Sequence, residues 1–235
     1  ALVYNPQGTW SLYGAWSTGM ESGGVAPVGT TNANSVLEPA RSTQMEFGAK
    51  AELVRGMVAA ASVFEIEKPL ETTNAANAYV QRGDARHRGV ELSLQGRVQR
   101  ELMLGASVAY LDATQLDTGD KALDGRRVVN VPRLKSTVFA DWAVSSVPGL
   151  KLNATWQHAG RKAFDTANTV MVPGYHVVNL GAAYATTVGG TRAVLRANVD
   201  NVADKFYWRD VTQSLGGYLL PGLPRVFKLS AQFDW

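Results

Sequence analysis

The chain has 235 residues, no cysteine, 46% hydrophobic residues and a formal net charge of +3. That composition excludes a disulfide framework and a cysteine-ligated metal centre, and the dispersed basic residues give nucleic-acid binding no support. No window approaches 18 consecutive apolar residues, the longest candidate being GMVAAASVF at 56–64, so any membrane crossing has to be made by strands.

The N-terminus, ALVYNPQGTW, lacks a basic segment followed by a long apolar one, so no signal peptide is visible. Residues 1–4 read as the tail of an earlier strand. Ten strand-like windows follow, at 10–18, 43–53, 56–67, 87–98, 101–113, 135–144, 150–160, 175–186, 191–201 and 225–235. Most alternate with a period of two. In 43–53, Met45, Phe47, Ala49, Ala51 and Leu53 oppose Gln44, Glu46, Gly48, Lys50 and Glu52. In 150–160, Leu150, Leu152, Ala154 and Trp156 oppose Lys151, Asn153, Thr155 and Gln157. The final stretch places Phe227, Leu229, Ala231, Phe233 and Trp235 against Lys228, Ser230, Gln232 and Asp234. Such alternation marks strands with one face in an apolar medium and the other in water.

The connections alternate as well. Short turns are expected at 5–9, 54–55, 99–100, 145–149 and 187–190, and long loops at 19–42, 68–86, 114–134, 161–174 and 202–224. Short turns on one side and long loops on the other are the habit of outer-membrane barrels, and a soluble sandwich has no reason to adopt it. The expected fold is therefore all-β: an antiparallel up-and-down transmembrane meander of about ten strands, belonging to a larger barrel. Bacterial barrels have an even strand number, so ten strands and a stub suggest a fragment, seen as an open curved sheet or a small closed barrel.

On the apolar face, Trp10, Trp142, Tyr184, Phe233 and Trp235 fall near short turns, and Trp16, Tyr110 and Trp156 near long loops. Two aromatic bands bracketing Val, Leu and Ala suit the two interfaces of a bilayer, against the plainer reading of buried core. Lys50, Glu52, Arg97, Lys135, Asp141, Lys151, Arg192, Arg196 and Lys228 are expected on the other face. So many ions need water or a polar plug, and hence a wide lumen.

Three histidines offer little chemistry. His158 shares the parity of Trp156, while His87 and His176 are expected on polar faces. No His-x-x-x-His or acid–His cluster supports a metal site or a nucleophile.

Several segments resemble the C-terminal barrel of TonB-dependent siderophore receptors: LEPARSTQMEFGAKAEL (37–53), RHRGVELSLQGRV (86–98), VPRLKSTVFADW (131–142), NVDNVADKFYW (198–208) and GYLLPGLPRVFKLSAQFDW (217–235). The resemblance implies an outer-membrane receptor for ferric-siderophore uptake, energised through TonB, with a barrel of about 22 strands and an N-terminal plug. The plug and its TonB-contacting box find no counterpart in this sequence. Iron would arrive already chelated, so the resemblance implies no cofactor and no protein ligands to the metal. Partners implied are a ferric siderophore, outer-membrane lipid and the TonB system acting through the plug. Arg82, Arg126, Arg127, Arg161 and Arg209 lie in or beside long loops and would suit anionic ferric complexes, with Tyr207 and Trp208 packing against the organic carrier. Each also has a plain reading: solvation of a loop, contact with lipopolysaccharide phosphates, or, for DKFYW (204–208), an interface anchor. The rivals are a self-contained ten-stranded outer-membrane porin or enzyme, and a soluble β-sandwich binding module.

Overall fold

The structure, a computed structural model, describes residues 1–212 and 217–234; Gly216 and Trp235 lie outside the described residues. Its elements, in order, are β1 (Leu2–Tyr4), β2 (Trp10–Glu21), β3 (Ala40–Val54), β4 (Met57–Thr73), β5 (Tyr79–Arg97), β6 (Leu102–Leu116), β7 (Leu134–Ala143), β8 (Leu150–Ala159), β9 (Lys162–Ala163), β10 (Met171–Val172), β11 (Tyr175–Val188), β12 (Thr191–Asp200), β13 (Trp208–Thr212), β14 (Tyr218–Pro221) and β15 (Val226–Asp234). Eleven of them form one sheet in the order β1-β2-β3-β4-β5-β6-β7-β8-β11-β12-β15. Every pairing in it is antiparallel. Each expected strand is present, and the N-terminal stub is β1. Among the described residues β1 and β15 are the two edges, so the sheet is open.

Paired residues of adjacent strands share a face, and the register sorts the side chains as alternation demands. One row runs Trp10, Ala51, Ala59, Leu94, Ala106, Val138 and Trp156. It begins at the turn end of β2 and reaches the loop end of β8. That climb across the sheet is the stagger of a tilted barrel wall. The opposite face carries the row Arg97, Met103, Asp141, Asn153, Gly181, Asn198 and Lys228. Lys228 there forms an ion pair with Asp200. The apolar face will be called outer and the polar face inner.

Among the described residues the sheet has no second layer. Its buried apolar residues are alanines and valines, and no large side chain among the described residues is fully buried. Phe47 remains 62% exposed and Phe227 73%. Folded domains normally bury an apolar face against another element, and here no described element covers it.

On the inner face, three aromatic rings lie across glycines of the neighbouring strand. A Cβ on Gly48 would stand 2.5 Å from the Tyr13 ring, on Gly89 2.5 Å from Phe64, and on Gly105 2.1 Å from Phe139. Glycine lets each ring lie down on the backbone instead of standing up from it.

Three expectations need correction. The segment 68–86 is no long loop: β4 and β5 stay paired to Thr73↔Tyr79, with a bulge between Pro69 and Glu71, and 74–78 turns tightly. Asn74 Oδ1 closes that turn, accepting from the amides of Ala76 and Ala78, both at 3.0 Å. Both faces are polar there, so the period of two disappears from the sequence while the strands continue. The loops 161–174 and 202–224 are also not irregular throughout, since they carry the hairpins β9–β10 and β13–β14. His176 pairs in register with His158, which puts it on the outer face and not on the polar one. Its parity was set by a strand start one residue from the loop, where alternation has no earlier partner to fix it.

Candidate functional site: the loop end

Three connections at the loop end are stitched into one assembly by amide side chains. Asn168, at φ 59°, accepts from the Arg127 amide at 2.7 Å and donates to the Arg127 carbonyl at 3.0 Å, mimicking a strand partner. Gln115, itself buried, donates to the carbonyls of Thr166 at 2.7 Å and Arg127 at 3.0 Å. Asn130 accepts from the Val211 amide at 3.0 Å, tying the β6–β7 connection to β13. Asn201 donates to the carbonyls of Lys205 at 2.9 Å and Leu223 at 3.0 Å, and so closes the base of the β12–β15 excursion. A second assembly joins the β2–β3 connection to the tip of β4–β5, where Asn32 exchanges both hydrogen bonds with Tyr79, each 2.8 Å.

Lys162 is 4% exposed. Its ammonium donates to the carbonyl of Arg209 and so fastens β13–β14 onto β9. Burial pulls its pKa below the ordinary lysine value, with Asp210 opposing and Lys135 and Arg209 adding to the fall. Burial acts to raise Asp210, but the hydrogen bond from Arg209 and the nearby Lys162 outweigh it, leaving the carboxyl below its usual range. Asp165 behaves alike: burial is outweighed by amides of Thr169 and Val170, which donate at 2.9 and 2.8 Å.

The residues singled out by sequence fall into separate groups. Arg82 lies against Gly119, where a Cβ would stand 2.3 Å from its guanidinium. Arg126 donates to the Ala122 carbonyl of its own turn at 3.1 Å. Arg127 is bridged to Thr114, which belongs to the outer face, and burial together with the adjacent Arg133 and Arg161 draws its pKa down. Arg209 is paired with Asp210 at 2.7 Å, so its charge is already answered. The Tyr207 ring packs on Tyr175, centroids 4.3 Å apart, and covers Gly222. Trp208 meets Phe206 edge-on at 4.8 Å. The structure thus brings Arg127 and Arg161 together, adds Arg133 to them, and keeps Arg82, Arg126 and Arg209 apart.

Tyr175 pairs with Ala159, and Ala159 with Lys135, so the tyrosine pair stands at the top of the inner face. Below it the inner wall holds a basin of about 310 Å³, lined among others by Tyr13, Glu46, Glu91, Ser107 and Lys135. Sequence reasoning missed Asn130, Asn168, Gln115 and Arg133; the one available signal was that asparagines tolerate the left-handed region needed at loop corners.

On the outer face, Trp10, Trp142, Tyr184 and Phe233 lie toward the turn end of their strands, and Trp16, Tyr110 and Trp156 toward the loop end.

Comparison with known proteins places this architecture. The family model described as TonB dependent receptor-like, beta-barrel matches residues 1–202. The ferrichrome receptor FcuA of Yersinia enterocolitica is 31% identical over 207 residues, covering 87% of this chain and 27% of that protein. The crystal structure of BauA, the ferric preacinetobactin receptor of Acinetobacter baumannii, is similar with a TM-score of 0.82 at 28% identity, covering 99% of this chain and 35% of that one. The ferric yersiniabactin uptake receptor FyuA of Yersinia pestis shares the fold, with a TM-score of 0.80 at 18% identity, covering 99% of this chain and 36% of that one. The chain therefore spans 27% to 36% of the length of these relatives. Since a single family model runs through residues 1–202, from β1 to past the end of β12, the chain belongs to the TonB-dependent receptor β-barrel family.

Proposed function

We propose that this chain forms part of the barrel wall of an outer-membrane receptor that takes up ferric siderophores with energy delivered through TonB. The observation that carries the reading is a single-layer sheet whose apolar face no other described residue covers. In water that face costs roughly 25 cal/mol for each Å² of apolar surface left exposed; in hydrocarbon the cost disappears. The relatives named as a ferrichrome receptor and a ferric preacinetobactin receptor supply the substrate class. On this reading the outer face meets outer-membrane lipid, the inner face a water-filled lumen or a plug that contacts TonB, and the loop end the exterior. Iron travels as cargo inside its chelator, no resident cofactor is needed, and the protein is a transporter, not an enzyme.

Of the loop-end candidates, the tyrosine pair Tyr175–Tyr207 looks toward the inner face, with Lys135 two strands away in the same cross-strand row as Tyr175. An aromatic surface and a cation on one wall suit an organic chelate of negative charge. Trp208 and Arg209 are better explained as an anchor, since Arg209 is neutralised by Asp210. The test is uptake of radiolabelled iron by cells whose only siderophore receptor is the full-length protein, over a panel that includes ferrichrome and ferric preacinetobactin. Uptake of at least one chelate, weakened by Tyr175→Ala with Tyr207→Ala and unchanged by Trp208→Ala with Arg209→Ala, is the expected result. Normal surface expression with no uptake or binding of any ferric chelate would overturn the reading.

A further inference from the structure

The chain has three histidines, and the register sets two of them side by side. His158 of β8 stands opposite His176 of β11, in a row that continues to Ser136 of β7 on the outer face. Residues directly opposite on antiparallel strands hold their Cβ atoms about 4.5–5.5 Å apart, close enough for both imidazoles to reach one ion between the strands. By sequence parity the two fall on opposite faces, so the pairing alone brings them together.

The surroundings hold the pair from below and leave it open above. The next row toward the turn end is Trp156 and Val178. The indole lies parallel to the His158 ring, centroids 5.9 Å and planes 6° apart, which limits how far that imidazole can turn. Toward the loop end the same face carries Gly160 and Gly174, where a Cβ on Gly174 would stand 2.9 Å from the Gly160 carbonyl carbon. No side chain therefore rises beside the histidines on that side. His176 is exposed and His158 half-buried, and among the described residues neither imidazole makes a hydrogen bond or an ion pair. His87 differs: it lies on the inner face, paired with Ile66 and Ala113, and its Nε2 is enclosed without a partner.

We propose that His158 and His176 form a two-imidazole site for a divalent transition-metal ion of the Cu2+ or Zn2+ class, clipping β8 to β11 at the loop end. Neutral imidazole nitrogens suit Cu2+, Zn2+ and Ni2+, whereas Ca2+ and Mg2+ take oxygen ligands. Among the described residues no third His, Cys, Asp or Glu joins the pair, so water fills the remaining positions of the ion over the two glycines. The site lies on the opposite face from the Tyr175–Tyr207 pair and takes no part in the passage of chelated iron. It needs only the register of β8 and β11, and neither the uptake reading nor the membrane reading enters it.

The experiment takes the untagged full-length receptor in detergent at slightly alkaline pH, stripped of metal with a chelator and titrated with Cu2+ and with Zn2+. Pulsed electron paramagnetic resonance of the bound Cu2+ should show coupling to two imidazoles. His158→Ala and His176→Ala should each abolish that signature and weaken binding about tenfold or more, since the second imidazole binds at high effective concentration once the first has engaged. His158→Gln, which keeps a polar side chain against Trp156, should behave as His158→Ala does, and His87→Ala should bind as the parent does. Zn2+ should raise the temperature at which the heat-modifiable gel band is lost in the parent and in none of the His158 or His176 variants. Binding elsewhere in the receptor is common to parent and variants and cancels in the comparison. A parent whose Cu2+ couples to a single imidazole overturns the site, and so does parental affinity retained by folded His158→Gln and His176→Ala variants. Either result leaves the uptake of ferric chelates, measured separately, unaffected.

Discussion

Asn201 is buried where β12 ends, at φ 49°, and both ends of its amide are engaged: the nitrogen by two carbonyls, the oxygen by the Lys205 amide at 3.0 Å. Replacing it by alanine leaves the carbonyls of Lys205 and Leu223 without their donor, at a cost of about 1–3 kcal/mol. A lower urea midpoint and faster amide exchange in 202–225 of the full-length receptor should report that loss; an unchanged midpoint would show that water replaces the amide. Asp165 yields a pH prediction. Its carboxyl sits below the ordinary value of 3.8, so the stabilisation is complete above about that pH and fades as pH falls through the depressed value. Amide exchange at Thr169 and Val170 should therefore gain a step below pH 3.8, and Asp165→Asn should remove the step. None of these roles was legible from sequence. An asparagine in a polar loop has the same composition signature whether it points to solvent or stitches two connections, because its partner lies tens of residues away.

At the scale of the strand, legibility depended on the medium. Where one face is apolar and the other polar, as in β12, Leu195 and Arg196 announce their sides by parity alone, and the register agrees. Where β4 and β5 rise beyond the apolar band, both faces carry polar residues and the sequence resembles a loop, although the pairing continues. The hairpins β9–β10 and β13–β14 contribute strands of two to five residues, too short for any period to show. The strand-scale prediction is a contrast of neighbours. Leu195→Arg should lower stability in vesicles by roughly 2–4 kcal/mol if it sits at the bilayer midplane, while Arg196→Leu should change it far less. Equal penalties at the two positions would mean that the faces are misassigned.

For the molecule as a whole, the decisive quantity is the apolar area that the sheet leaves open on its outer side. Spin labels placed singly at 192–199 should divide by parity: 193, 195, 197 and 199 reached by lipid-soluble quenchers, 192, 194, 196 and 198 by water-soluble ones. Loss of that division would reject the membrane reading at once. The division of the loop end into two stitched assemblies and the register stagger were beyond the sequence, which also left an open sheet and a small closed barrel as alternatives, since each is set by which strands meet and at what offset. The strand count, the alternation of short and long connections and the placing of polar residues on one side were within it, because hydropathy has to repeat with the backbone.

The rings of Tyr13, Phe64 and Phe139, lying flat over Gly48, Gly89 and Gly105, give the inner wall a property that no single contact expresses. It has low relief. A body seated against this wall, or drawn along it, meets the faces of rings and not their edges, and finds no tall side chain at those places to catch on. Adding one methyl group at Gly105 would lift Phe139 off the backbone and plant an obstacle in the path. On the proposed function, the affinity of a chelate at the loop end would be untouched, while the speed of whatever slides past the wall would not.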